Sequence, residues 1–186
     1  MNKLFALVPI VATLSTATAC DYIKLFRPSV LKQLNPDVVR LLNELPNVDQ
    51  PNEDIVGRLF AHGGLSEAKE NPDGSMGDQI RIPKGQLIWQ PAIIVMPHPG
   101  ELQIDFLNDD DISTHAAIVP SDGDKQYLAL PIHTKGRAKI RLAAPGYYWF
   151  GCPVGNHVGR GMLGLILVRG EVPQSAKLDR PAQERP

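Results

Sequence analysis

The sequence predicts an all-β fold, a Greek-key β-sandwich carrying a short N-terminal helical extension. Three observations predict it. Eight short runs rich in Val, Ile, Leu and aromatic residues recur between residues 55 and 169. The segments between them are dense in Gly and Pro, the residues that punctuate strands. Finally, 186 residues with 43% hydrophobic content and a net charge of −1 suit one modest domain with short extensions. That charge balance supplies no footprint for nucleic acid and none for a disordered chain.

The N-terminus differs in kind from the rest. Lys3 precedes an almost wholly apolar run over residues 4–14, and Ala17-Thr18-Ala19 reads as a small-residue cleavage site. Residues 1–19 are therefore expected to be a signal peptide, since the apolar run is too short to span a bilayer. Cys20 follows at once, as in a bacterial lipoprotein signal where the thiol is acylated. A free thiol after ordinary cleavage is one alternative. A disulfide to Cys152, the only other cysteine, is another, but it leaves the His and Met near Cys152 without a role. The expected location is periplasmic or otherwise extracytoplasmic, with Cys20 as the candidate site of a lipid anchor.

Residues 20–52 read as an extension ahead of the domain. Asn35-Pro36 has the form of a helix start, with Asn as cap and Pro in the first turn. Val38, Leu41, Leu42 and Leu45 recur at helical spacing before Pro46 stops the run. So short a helix is marginal alone, so its stripe is expected to pack on the domain.

The domain itself is expected over residues 53–172, with strands at 55–60, 79–82, 87–95, 101–108, 115–119, 137–142, 147–151 and 163–169. Turn signals separate them, among them Pro83-Lys84-Gly85, Pro97-His98-Pro99-Gly100, Asp122-Gly123-Asp124 and Ala144-Pro145-Gly146. Residues 67–78 are polar and contain Gly, which suggests an excursion between strands. Glu101 and Asp105 alternate along one strand and predict a wet face, not acid–base chemistry. The tail, 173–186, is polar and rich in Pro.

Chemistry concentrates in Gly151-Cys152-Pro153-Val154-Gly155-Asn156-His157-Val158-Gly159-Arg160-Gly161-Met162, with Cys152, His157 and Met162 at intervals of five. Thiolate, imidazole and thioether, plus one more imidazole, are the ligand types of a blue-copper site. Cys152 would end one strand, the loop would fold His157 back, and Met162 would open the next strand. Singly, each residue has an ordinary structural role: a buried thiol, a loop histidine, a core methionine. The missing histidine is assigned to His115, which opens an apolar strand after Asn108-Asp109-Asp110-Asp111. His62, His98 and His133 are the competitors, His133 the best placed of them. Asp109, Asp110 and Asp111 themselves read as a solvated bend, with some capacity to steer a basic partner.

Pro145-Gly146-Tyr147-Tyr148-Trp149-Phe150-Gly151-Cys152, then His157, Gly161-Met162 and Leu163-Gly164-Leu165-Ile166-Leu167-Val168, resembles the C-terminal half of a cupredoxin. The interval from Cys to His to Met is also that of type 1 sites in multicopper oxidases, and the resemblance covers roughly residues 79–170. It implies a single type 1 copper ion, held by His115, Cys152, His157 and Met162, and one-electron transfer without a bound substrate. It also implies an exposed edge at His157, amid Val154, Gly155, Val158 and Gly159. Tyr147, Tyr148, Trp149 and Phe150 are expected to be core and strand-face residues. Ala116 offers no side-chain donor and Pro153 no N–H, so the Cys152 sulfur is expected to be short of hydrogen bonds. That in turn predicts a potential below those of the strongly oxidising members.

Enzymatic relatives fit less well. A trinuclear copper cluster needs paired His-x-His motifs, and the five histidines here form none. A nitrite reductase has a ligand histidine beside the type 1 cysteine, whereas Gly151 and Pro153 flank Cys152. A dinuclear centre needs a second loop cysteine, and Asn156 stands in its place. The expected protein is not an enzyme but a carrier serving redox partners, a periplasmic dehydrogenase or a cytochrome by analogy. The alternative is a copper-binding protein that delivers metal without moving electrons.

Overall fold

Alternating strands persist only where something covers their apolar faces, and the short runs of this chain cover one another. In a computed structural model that describes residues 50–120 and 124–171, a helix α1 (Gln50–Gly63) leads into ten strands. These are β1 (Leu65–Glu67), β2 (Lys69–Glu70), β3 (Met76–Ile82), β4 (Ile93–Met96), β5 (Gly100–Asn108), β6 (His115–Val119), β7 (Gln126–Leu130), β8 (Lys135–Leu142), β9 (Gly146–Gly151) and β10 (Leu163–Val168). One sheet has the order β1-β4-β10-β9-β6-β7 and the other β2-β3-β5-β8. β4 runs parallel to β1 and β10, and β3 parallel to β5; the other pairs are antiparallel. The two sheets share one core, and their crossovers are those of the predicted Greek-key sandwich.

The two sheets are covered differently. In β5 and β8, Leu102, Ile104 and Phe106 face inward with Ala138, Ile140 and Leu142. On the outer face Arg137 meets Asp105 at 2.6 Å and Lys139 meets Glu101 at 2.8 Å, the wet face expected from the alternation. β4 and β10, in contrast, are buried at every residue. α1 packs against both, burying Val56, Leu59 and Phe60. Burying such side chains contributes roughly 1.5–3 kcal/mol each, which holds in place a helix that would be marginal alone. Among the described residues no helix is long and apolar enough to cross a membrane.

An aromatic cluster fills the core beneath β9 and β10. Trp89 meets Phe106 edge-on at 5.6 Å and Phe150 at 5.7 Å. Phe150 lies directly on Gly164, where a Cβ would fall 2.1 Å from its ring. Tyr147, Tyr148 and Trp149 pack half-buried against the core, in the strand-face role expected of them.

Several expectations are corrected. Residues 55–60 are helical, not a strand: Ile55, Val56, Leu59 and Phe60 also fit one helical face, and packing on β4 and β10 selects that reading. α1 therefore crosses the expected boundary at residue 53. The run at 87–95 yields only the start of β4, because Pro91 has no N–H to donate and Gln90 makes a lone bridge to Arg81. β7 was not anticipated; it is an edge strand with mostly exposed side chains, so its sequence carries little apolar pattern. The polar stretch 67–78 contains β2, the start of β3 and the end of β1. The signal peptide at 1–19, Cys20, the helix expected near 36–45 and the tail at 173–186 lie outside the described residues.

Candidate metal centre

β9 and β10 form a hairpin in register Gly151↔Leu163, and residues 152–162 are its loop. The loop closes on itself. The Cys152 N–H donates to the Met162 carbonyl at 3.2 Å, the Met162 N–H to His157 at 2.9 Å, and the Val158 N–H to Cys152 at 3.1 Å. A one-turn 3-10 helix, Val154–Asn156, turns the chain, with Gly155 and Asn156 at φ 52° and 57°. Glycine and asparagine are the residues that tolerate that left-handed region most readily. Asn156 thus organises the loop, its side chain lying where a Cβ on Gly159 would come within 2.3 Å. From the core, the Trp89 indole N–H donates to the Met162 carbonyl at 3.3 Å.

The second segment is the bend between β5 and β6. Asn108, buried, donates through Nδ2 to the carbonyls of Leu130 at 2.9 Å, Pro131 at 3.0 Å and Ser113 at 3.4 Å. Its Oδ1 accepts from the Asp110 N–H at 3.0 Å. The bend then sorts three consecutive carboxylates. Asp109 pairs outward with Arg81, and Asp111 pairs outward with Lys84 at 2.5 Å. Asp110 turns inward and is 2% exposed. Its Oδ2 lies 3.0 Å from His115 Nε2, and its Oδ1 accepts from the N–H groups of Gly85 at 3.1 Å and Ile112 at 3.2 Å.

These two segments bring His115, Cys152 and His157 together. Their ligand atoms lie within 4.8 Å of one another, and all three residues are buried. Cys152 Sγ is 3.4 Å from His157 Nδ1 and 3.8 Å from His115 Nδ1; the imidazole centroids are 5.0 Å apart. A small metal bonded at ~2.0 Å to nitrogen and ~2.3 Å to sulfur, with a trigonal angle between them, sets nitrogen and sulfur ~3.7 Å apart. The observed spacing fits, and so does the chemistry of two imidazoles and a thiol. Met162, fully buried, is the last residue of the loop.

Electrostatics reinforce the donor set. Burial pushes the Cys152 thiol up, against the opposing pull of the backbone N–H groups of Ala116 and Val154. To serve as a metal ligand the Cys152 thiol would therefore have to give up its proton. His157 is pushed down, first by burial and then by the neighbouring His115 and Arg160, which favours the neutral, ligating imidazole. Burial alone would raise Asp110, but the hydrogen bonds from His115, Gly85 and Ile112 outweigh it and hold the carboxyl at about 2.

Of the sequence-predicted residues, His115, Cys152 and His157 converge. His62, His98 and His133 are exposed and lie outside the cluster. Cys152 carries a free thiol. Two expectations are corrected. The sulfur is not short of hydrogen bonds: the backbone N–H of Ala116 donates to Sγ at 3.4 Å, a donor that no side-chain argument reveals. Nor is Asp110 solvated with its neighbours. Asn108, two residues earlier, signals a capped bend but not which of the three carboxylates the bend brings inward.

With this geometry in view, comparisons with known proteins can be placed. The model of the PQQ-associated family matches residues 33–186, so the chain belongs to that family. No protein of curated function matches the chain by sequence. Among solved structures it is similar to dithionite-reduced auracyanin from the photosynthetic bacterium Roseiflexus castenholzii, at 16% identity over 50% of this chain and 97% of that one, with a TM-score of 0.46. It is also similar to auracyanin A, a "blue" copper protein from Chloroflexus aurantiacus, at 15% identity over 52% and 100%, TM-score 0.44. The metal binding domain of the Streptococcus pneumoniae Cu(I) exporting P-type ATPase CopA matches at 14% identity over 58% and 98%, TM-score 0.44. The two-sheet sandwich holds the cluster at the mouth of β6, β9 and β10, and its two imidazoles and thiol fit a type 1 copper site.

Proposed function

We propose that this member of the PQQ-associated family is an exported carrier of single electrons, holding one type 1 copper ion through His115, Cys152, His157 and Met162. The observation that carries the reading is the buried His115–Cys152–His157 cluster, whose spacing suits a small trigonal metal. Bound there, copper supplies a reversible one-electron couple. The chain's own contribution is to hold the donors still. Cys152 is fixed by the N–H groups that point at its sulfur, and the loop that carries it is braced by Trp89 and by its own hydrogen bonds. Donors that cannot move serve both oxidation states with one geometry, which keeps reorganisation small.

His157 is the outer member of the set, 6% exposed, while His115 is sealed. Together with partly buried Val154 and Val158 it supplies a small apolar contact edge of the kind a transient redox complex uses. The family's association with PQQ supports a partner among quinone-dependent periplasmic dehydrogenases, because a quinone that accepts electrons in pairs must pass them on singly. A cytochrome is the other expected partner class. Export, cleavage after residue 19 and a lipid on Cys20 belong to the same reading, and the mass of the mature N-terminus tests them.

The test of function is the optical and EPR spectrum of the protein loaded with Cu(II). An intense visible thiolate-to-copper band is expected, retained in His133→Ala and lost in His115→Ala. A protein that stays colourless and takes up only Cu(I) would instead be a delivery protein.

A further inference from the structure

Three consecutive aspartates stand in one bend, and the fold treats the middle one differently. Asp109 and Asp111 are neutralised at the surface by Arg81 and Lys84. Asp110 has no such ion pair: among the described residues its one ionisable hydrogen-bond partner is His115, and Lys84 acts on it only through space. It is nevertheless buried, and all its other hydrogen bonds come from neutral backbone N–H groups. Burying a carboxylate without a cation is costly. Asn108 and the N–H groups of Gly85 and Ile112 form a cradle built to retain it.

Two consequences follow from where that carboxylate points. First, Oδ2 lies where it accepts from Nε2–H of His115, so in the neutral imidazole the lone pair is on Nδ1, the nitrogen that faces the Cys152 sulfur. Second, a fixed negative charge sits one imidazole ring away from the donors. A site of Cys thiolate and two neutral imidazoles carries one positive charge with Cu(II) and none with Cu(I). A buried anion at that distance favours the more positive state. His157 has no matching group: among the described residues no side chain pairs with its Nε2.

We propose that Asp110 is the residue that positions His115 for metal and lowers the reduction potential of the centre by selectively stabilising its oxidised state. The inference rests on the copper reading above. It places a low potential in the buried carboxylate, since the sulfur does have its hydrogen bond from Ala116.

The experiment pairs the native protein with Asp110→Asn. In the variant, one amide oxygen still serves Gly85 and Ile112, so the amide NH2 turns toward His115 Nε2 and favours the opposite tautomer. Expected for the copper-loaded proteins, by voltammetry, is an upward shift corresponding to at least a tenfold change in the ratio of Cu(II) to Cu(I) affinity, 59 mV for one electron. Cu(II) affinity itself should fall 10–100-fold. An unchanged or lower potential in a variant that keeps its blue band overturns the proposal. The metal-free native protein gives a readout that needs neither copper nor a variant. Imidazole 15N NMR at pH 9 should find the His115 proton on Nε2, and a proton on Nδ1 overturns the positioning role. If the native protein binds no copper at all, the carrier reading fails while the tautomer measurement still decides whether Asp110 orients His115. A thermal melt of the variant shows that the changes are local.

Discussion

His115 and His157 face the same sulfur, yet the fold holds them by different means. His115 is the first residue of a strand, fully buried, and tied through Nε2 to a carboxylate that is itself caged. His157 sits in a loop, slightly exposed, its main chain bonded within that loop and no side chain paired with its Nε2 among the described residues. One histidine is fixed by charge from inside; the other is presented by a turn from outside. The contrast teaches how a site can divide its work. The inner ligand meets the group that adjusts the energy of the centre, and the outer ligand remains free to meet another molecule.

The largest effect should come from removing what the two histidines share. Cys152→Ser is expected to abolish the thiolate band entirely, leaving both imidazoles without their common partner; any residual blue colour would show that Cys152 is not the anchor. Next, His157→Gly and His115→Gly should part company. Added imidazole is expected to restore the band in the first, whose gap opens to solvent, and not in the second, whose gap is sealed. Equal rescue would dissolve the contrast. His115→Gly should also weaken the metal-free fold by about 1–3 kcal/mol, the cost of leaving a buried polar group without its donor, measurable by denaturant titration.

A scaffold change tests whether the difference is local. Gly164→Ala forces a methyl against the Phe150 ring, and overpacking of this kind costs roughly 1–3 kcal/mol. It should lower Tm while both histidines keep their spectra. The acid limb sharpens the comparison further. The Asp110 carboxyl is held at about 2 against its ordinary 3.8, so its contribution to stability is complete above about pH 4 and is lost as pH falls toward 2. The metal-free Asp110→Asn variant should therefore show a flatter fall in stability over that window than the native chain. Smallest of all, Arg137→Ala on the wet face of β5 and β8 should leave the spectrum untouched and change stability little, because exposed ion pairs contribute little.

Much of this was legible in the sequence, and for identifiable reasons. The hairpin from Tyr147 to Val168 announces itself because an apolar β-pair interrupted by a Gly-rich loop is a local pattern, and the three donors within it are set by that loop. His115 could be chosen because an Asn-Asp bend before an apolar strand is also local. Asp110 was not legible: an aspartate among aspartates reads as solvated, and only the pairing of its neighbours with Arg81 and Lys84 reveals that the middle one turns in. The Ala116 donor was hidden for a different reason, since every non-proline residue has an N–H and the sequence does not say where it points. α1 was misread because four apolar residues satisfy both a strand and a helix until β4 and β10 supply the surface that decides between them.

The loop from Cys152 to Met162 spends its backbone hydrogen bonds chiefly on itself and returns to the sandwich at the Gly151–Leu163 register. It is in that sense a cassette, joined to the scaffold at two ends, by the Trp89 brace and by the Ala116 N–H on the Cys152 sulfur. Most of the backbone bonds that shape the metal loop are therefore independent of the sheets beneath it. The bend at Asn108–His115 has no such independence, because it is knitted into β5, β6 and the 130–134 turn. The two sides of the centre thus differ in what a change would disturb: on the loop side chiefly the loop itself, on the bend side two strands and a turn as well.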